Sequence, residues 1–518
     1  MPAIAMTTTM PVTAPGAPEP LGRPNLVVIL IDDLGARDLG CCGSTFYDTP
    51  HIDRLAREGV QLAQAYAASS LCSPARAALL TGRHPVRLDI TNFIPGCGLG
   101  RLIAPPPRSS LDLGERTLAT ALGEAGYQTW HVGKWHLGGE GSLPTDHGFA
   151  VNIGGHRTGG LGHCGHGAPW TIAREDPAPL PGLENAPVGQ SITERLTDEA
   201  IALVRGRGRE SPFFLHLSHY TVHTPLQAPP ERVAHYQAKA ARLGLDQVPA
   251  VLPGELHPAL HYPGKHLDRR VLQSHPVYAA MVEQLDGCVG RLLQALEDEG
   301  LAENTLVVFL SDNGGLSTSD VAAPTSNLPL AEGKGWSEEG GLRIPWLMRW
   351  PRRLAPGLRH EPVWQCDLYP TLLAAAGRPA AADGPLDGIN LMPWLLGGPP
   401  PADRDFHWHY PYYSNQGGSP SGAIRSGPWK LIEAYESGTA ALYNLEQDIS
   451  ETLDLSAAEP QRAAALLAAL RSWRGALGAV MPRPNPWYES IVAGALPRPN
   501  GRGEFPAGTV LPAELAEG

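Results

Sequence analysis

Four short apolar runs stand out along the chain, and each gives way to polar residues at its C-terminal end. Asn25–Ile31 (NLVVILI) runs into Asp32-Asp33, and Gln128–Gly133 (QTWHVG) runs into Lys134 and His136. Phe213–Leu217 (FFLHL) leads through Ser218 and His219 to His223, and Thr305–Ser311 (TLVVFLS) runs into Asp312-Asn313. Runs this short and this continuously apolar fit strands buried on both faces. Helical patterns lie between them: Leu113–Ala125, Ser191–Arg205, and an amphipathic stretch over Pro276–Glu299 that stops at Gly300. Strands alternating with helices imply an α/β fold with a large, mostly parallel sheet flanked by helices. In such sheets ligands bind beyond the carboxyl ends of the strands, which is where all four polar groups fall.

The pattern changes near residue 398, at a Gly-Gly-Pro-Pro-Pro run. Strand-like pieces follow at Ala423–Arg425, Trp429–Ile432 and Ala441–Leu445, then a helix over Pro460–Leu477. The expected division is a catalytic α/β domain over 24–398 and a smaller antiparallel sheet with one helix over 399–480. A disordered Pro/Thr/Ala tail over 1–23 and an irregular Pro-rich tail over 481–518 complete it.

Charge narrows the partners. With 52 acidic against 40 basic residues the formal net charge is −12, which argues against nucleic acid or an anionic membrane. An anionic substrate would therefore need a local cationic pocket. No apolar run approaches membrane-spanning length. The first 23 residues lack a basic start and an apolar core, so they do not read as a signal peptide, and a cytoplasmic location follows as the expectation. Seven scattered cysteines without a C-x-x-C spacing suggest neither a disulfide framework nor a structural zinc site.

Two acidic residues side by side at a strand end need positive charge nearby. Asp32, Asp33, Asp312 and Asn313 together offer four oxygen donors without histidine, a set that suits calcium or magnesium over zinc. Leu71–Gly82 (LCSPARAALLTG) places Cys72 at the start of a helix, with Arg76 one turn on. Both the helix end and the arginine favour an anion there, although a helix start with a buried thiol reads equally well from these residues alone. Lys134 and His136 are expected on one face of an extended segment. Lys334 lies in a Gly-rich loop (GKGWSEEGGLRIP), and His223 lies in VHTP. Two lysines, an arginine, two histidines and a cation at one sheet edge suit a small tetrahedral anion or its monoester.

Cys72-Ser73-Pro74-Ala75-Arg76, continued by Leu79, Thr81 and Gly82, matches the C-x-P-x-R-x-x-L-x-T-G signature of the sulfatase family within the alkaline-phosphatase-like superfamily. Gly126-Tyr127, Thr129 and Gly133–His136 resemble its second signature, and similarity extends from about Pro24 to Leu455. The resemblance implies a sulfuric ester hydrolase whose Cys72 is oxidised to formylglycine by a dedicated maturase. It implies one calcium ion on Asp32, Asp33, Asp312, Asn313 and the residue-72 hydroxyl. Arg76 would hold the hydrated aldehyde, Lys134 and Lys334 would grip sulfate, His223 would protonate the leaving alcohol, and His136 would take the remaining diol proton. Segments at Ile153–Gly155, His407–Pro411 and Ala423–Glu433 resemble carbohydrate sulfatases of the arylsulfatase-A-like branch. Galactose or N-acetylgalactosamine sulfates are therefore the first substrates expected. The residues themselves offer His156 and His409 as sugar contacts, and packing between the two domains reads equally well for the run that holds His409. The alternatives are an arylsulfatase of broad specificity, or a two-zinc phosphatase or phosphodiesterase. The latter would want a histidine at Asn313 and a Ser or Thr at Cys72.

Overall fold

The computed structural model describes residues 22–96, 98–106, 108–320, 323–378, 385–500 and 503–511. The expected N-terminal tail therefore lies, but for Gly22 and Arg23, outside the described residues, as does Cys97.

The main sheet is built from β1 (Asn25–Ile31), β2 (Val60–Leu62), β3 (Gln128–Gly133), β4 (Val151–Ile153), β5 (Phe213–Ser218), β6 (Thr305–Ser311), β7 (Trp346–Arg349) and β8 (Gly357–Arg359). Their order across the sheet is β8-β2-β7-β6-β1-β5-β3-β4. The central strands β6, β1, β5, β3 and β4 are parallel, and β7 runs antiparallel to both of its neighbours.

The buried strands supply two cores at once because successive side chains leave opposite faces. Val27, Ile29, Leu215, Leu217, Val307 and Phe309 belong to one apolar cluster. Leu26, Val28, Leu30, Phe214, Leu306, Val308 and Leu310 belong to another. Helices α3 (Ile192–Gly206) and α4 (Pro276–Asp298) supply the first cluster, while α1 (Cys72–Thr81) and α2 (Leu118–Glu124) supply the second. Both faces are thus dry, and the central strands are largely apolar, with polar exceptions such as His131 and His216, whose rings lie 3.0 Å apart Nδ1 to Nδ1.

Register aligns the strand ends. Ile31 lies opposite Ser311 in the β1–β6 pair, and Ser218 lies opposite both Leu30 and Gly133. The next residues out, Asp32, Asp312 and Lys134, consequently emerge at one edge.

The second sheet is antiparallel, with β9 (Phe406–Tyr410), β10 (Ser421–Ser426), β11 (Trp429–Ala434) and β12 (Ala440–Asn444) in sequential order, and α5 (Pro460–Leu477) packs on it. Residues after 480 depart from the irregular reading. Arg483–Pro484 pairs with Leu102–Ile103, and a short helix spans Tyr488–Val492. Among the described residues no helix is long and apolar enough to cross a membrane.

Candidate active site

Helix α1 sets the centre of the site. Leu71 is extended just before it and offers no side-chain cap, so the first amide groups of the helix lack a capping side chain. Gly82, in the left-handed region at φ 68°, closes the helix, and a Cβ there would press on Tyr369 at 2.9 Å. Every residue of α1 is buried. Cys72, its first residue, lines a cavity of about 690 Å³ together with His136, His223 and Lys334.

Around this thiol three carboxylates and three cations interlock. The Arg76 guanidinium donates from Nε and Nη2 to Asp312 Oδ2 at 2.9 and 2.7 Å, and from Nη1 to Ser218 Oγ and the Lys134 carbonyl. The Lys134 ammonium donates to Asp32 Oδ2 at 2.7 Å, and that of Lys334 donates to Asp33 Oδ2 at 2.7 Å. Asp312 Oδ1 accepts from the amides of Asp33 and Asn313, and the Asn313 side-chain amide donates to Asp33 Oδ1 at 2.8 Å. Asp33 itself has φ 62°, a left-handed conformation costly for any residue with a Cβ.

The charges are unequal in environment. Burial pushes the Asp32 carboxyl up to about 8 against the pull of Lys134. Burial acts on Asp33 in the same sense, but Lys334, His223 and Lys134 outweigh it and hold that carboxyl below the usual range. Burial likewise raises the Cys72 thiol despite Lys134 and Lys334, so the unmodified side chain is a poor thiolate.

The two histidines are oriented by backbone carbonyls. His136 Nε2 lies 2.7 Å from the Ile94 carbonyl, which only a donor can satisfy, leaving Nδ1 unprotonated; that atom is buried without a partner among the described residues. His223 Nδ1 lies 2.7 Å from the Thr224 carbonyl, and its Nε2 is 3.6 Å from Asp33 Oδ2. Burial and then Lys334 press His223 down to about 3, with Asp33 pulling the other way.

The sequence reading requires two corrections. Lys134 and His136 do not share one face of an extended segment: the strand ends at Gly133, whose φ is 106°, and His136 has φ 58°. Lys134 turns onto Asp32 while His136 enters the cavity. His409 is not in the cavity wall. It sits in β9, with Nδ1 on the Tyr435 hydroxyl at 2.7 Å and Nε2 on the Val480 carbonyl at 3.0 Å, so both nitrogens are consumed by packing between the small sheet and its helix. His156 lines a smaller chamber next to the main cavity.

Several neighbours were not singled out from the sequence. Ser218 and Ser73 bond to groups of the site, and Asn415 and Gln416 from the small-sheet region reach the cavity wall. Gly159 and Gly160 stand so close to the histidines that added Cβ atoms would lie 2.4 Å from His136 Nε2 and 2.9 Å from His223 Cε1. A paired glycine just after His156–Thr158 was the available signal.

A concave site at the sheet edge, with buried cations around a cysteine at a helix start, suits a hydrolase of small anionic esters. The family pattern described as Sulfatase matches residues 24–378, and one described as N-sulphoglucosamine sulphohydrolase, C-terminal, matches 333–472. Human arylsulfatase A is 36% identical over 420 residues, covering 79% of this chain and 74% of the relative. Mouse steryl-sulfatase is 33% identical over 471 residues, covering 77% and 69%. Human N-acetylgalactosamine-6-sulfatase is 32% identical over 401 residues, covering 74% and 67%. The solved structure of Ps i-CgsB in complex with k-i-k-neocarrahexaose superposes with a TM-score of 0.70 at 29% identity, over 92% of this chain and 98% of that one. The chain therefore belongs to the sulfatase family, with the alkaline-phosphatase-like fold, and is a sulfuric ester hydrolase.

Proposed function

We propose that the enzyme removes sulfate from a sulfated sugar, using formylglycine made from Cys72 and one calcium ion. The observation that carries this reading is the position of Cys72. It opens α1 inside the cavity, and its Sγ lies within 4.8 Å of carboxylate oxygens of Asp32 and Asp312.

The donor set fits a hard divalent cation. Asp32 Oδ1 and Asn313 Oδ1 are buried acceptors with no hydrogen-bond partner among the described residues, and Asp33 and Asp312 add carboxylates beside them. Oxygen donors and the Asn at 313 also count against a two-zinc site. Calcium held there by Asp32, Asp33, Asp312 and Asn313 would acidify the attacking hydroxyl and offset charge on the sulfate. Formylglycine at position 72 would contribute that hydroxyl as its hydrated diol, a stronger nucleophile source than the buried thiol.

The chain's other residues then divide the work. Arg76, locked on Asp312, keeps permanent positive charge under residue 72. Lys134 and Lys334 supply ammonium groups for sulfate oxygens, preorganised and buried so that their field is little screened. His136, with Nε2–H on Ile94, presents a free Nδ1 and serves as the base for the diol proton. His223 lines the cavity with Nε2 facing Asp33; burial first and Lys334 second keep its proton affinity low, and an incoming sulfate beside Lys334 would offset the second of these and let it act as acid.

Sugar as the leaving group is supported by the relative named N-acetylgalactosamine-6-sulfatase and by the neighbour crystallised with a neocarrahexaose. The polar lining near His156, Arg157 and Thr158 also suits hydroxyl groups. A mass spectrum of the Cys72 peptide, paired with assays on monosaccharide sulfates and p-nitrophenyl sulfate, tests the reading. Aldehyde at residue 72 and preference for the sugar esters are expected. Full activity in wholly thiol protein would overturn the mechanism, and preference for the aryl ester would leave a broad arylsulfatase.

A further inference from the structure

We propose that the cleft continues past Arg157 into a second chamber that takes an uncharged sugar unit joined to the sulfated one. This rests on the sugar reading above and extends it from one ring to two.

A chamber of about 560 Å³ adjoins the catalytic cavity and shares Ser109, Gly139, Arg157 and Ile172 with it. Arg157 is the partition, an exposed side chain held across the boundary by Asp176 at 3.0 Å. The remaining wall is polar in a particular way. Ser109 and Ser110 offer hydroxyls, and Glu140 and Asp176 offer carboxylate acceptors. Sugar hydroxyls, which both donate and accept, match such a wall. His156, 4% exposed, lines the chamber, and its buried Nδ1 has no hydrogen-bond partner among the described residues.

Charge decides which sugar fits. Two carboxylates face one guanidinium, and burial together with Arg157 keeps His156 neutral. The chamber is therefore net negative, whereas in the catalytic cavity Arg76, Lys134 and Lys334 balance the carboxylates. A second sulfate or a uronate would meet like charge without enough compensation, whereas a neutral hexose would not. The carbonyl of His156 also accepts the backbone N–H of His136 at 3.0 Å, so a ring seated against His156 steadies the catalytic base through one peptide unit.

The test compares kcat/KM for a sulfated monosaccharide, the same unit joined to a neutral hexose, and the same unit joined to a uronic acid, with p-nitrophenyl sulfate as the check on chemistry. The neutral disaccharide should exceed both the monosaccharide and the uronate disaccharide by roughly 10-fold. In Glu140→Gln combined with Asp176→Asn the gap between the two disaccharides, read as the ratio of their kcat/KM, should close to within about 2-fold. Equal rates on all three sugar esters, or preference for the uronate, would overturn the chamber while leaving the sugar reading standing. Loss of every sugar activity with p-nitrophenyl sulfate still hydrolysed by the wild type would remove the sugar reading and the chamber together.

Discussion

The hydroxyl of Ser73 donates to the backbone carbonyl of His136 at 2.9 Å. It also accepts from the amide of Ile94 at 3.0 Å, and the Ile94 carbonyl is the group that orients the His136 ring. One buried hydroxyl next to Cys72 thus ties helix α1 to His136 and to the carbonyl-bearing residue that orients its ring.

Ser73→Ala should therefore lower kcat by roughly 10-fold or more through loosened His136 geometry, with little change in KM. Leaving the Ile94 amide unpaired should cost about 1–3 kcal/mol of stability. Because the residue lies within the maturation signature, the aldehyde content of residue 72 has to be measured in the same preparation. Unchanged kcat per aldehyde would remove the positioning role.

The main sheet was legible because its central strands are buried on both faces, so that Asn25–Ile31, Gln128–Gly133 and Thr305–Ser311 announce themselves as short, mostly apolar runs with the observed limits. The peripheral strands were not, since Val60–Leu62, Val151–Ile153 and Gly357–Arg359 are three residues each and carry too little pattern to separate from loop. The acidic and cationic residues of the site were legible for a different reason. Each follows a recognisable strand or lies in a motif, and register does the gathering. His409, for which the sequence left sugar contact and packing equally open, shows the limit. Phe406, Trp408 and Tyr410 alternate as a half-buried strand does, and Trp408 donates its indole N–H to the Ala67 carbonyl. A histidine between such aromatics was packing, not lining. Ser73 was illegible because its importance is a distance, and distances across the fold are not written in local pattern.

Calcium should be found near one ion per chain, and chelation should abolish turnover while lowering the melting temperature, both restored by calcium. Asp33→Ala should prevent that restoration, because it removes a carboxylate that also holds Lys334 and the Asn313 amide. Elemental analysis with two zincs per chain, and activity tracking zinc, would refute the proposed metal site.

His223→Ala should act through the leaving group. On alkyl sulfates of sugars kcat should fall by about 10²–10⁴-fold, the range general acid catalysis supplies. On p-nitrophenyl sulfate, whose phenolate leaves without a proton, the loss should be much smaller. A plot of log kcat against leaving-group pKa should consequently steepen in the variant. Parallel lines for wild type and variant would take His223 out of the acid role.

Gly159→Ala tests whether the backbone wall behind the histidines is part of the catalytic geometry. The added Cβ would lie 2.4 Å from His136 Nε2 and 2.5 Å from Cε1, closer than any stable contact. The Gly159 backbone has room to yield only by moving the loop that also carries Gly160 against His223, and His136 can yield only by giving up its bond to Ile94. Either the His136 ring or the glycine loop packed beside His136 and His223 is displaced, so kcat should drop by roughly 10²-fold. Stability should change by only about 1 kcal/mol, since the loop is half-exposed and can shift outward. Calcium content and conversion of Cys72 should stay at wild-type levels, because neither the oxygen donors nor the maturation signature is touched. Wild-type kcat in a variant shown to be folded and fully converted would mean that His136 does not need the position seen here, and the assignment of its Nδ1 as the base would fall with it.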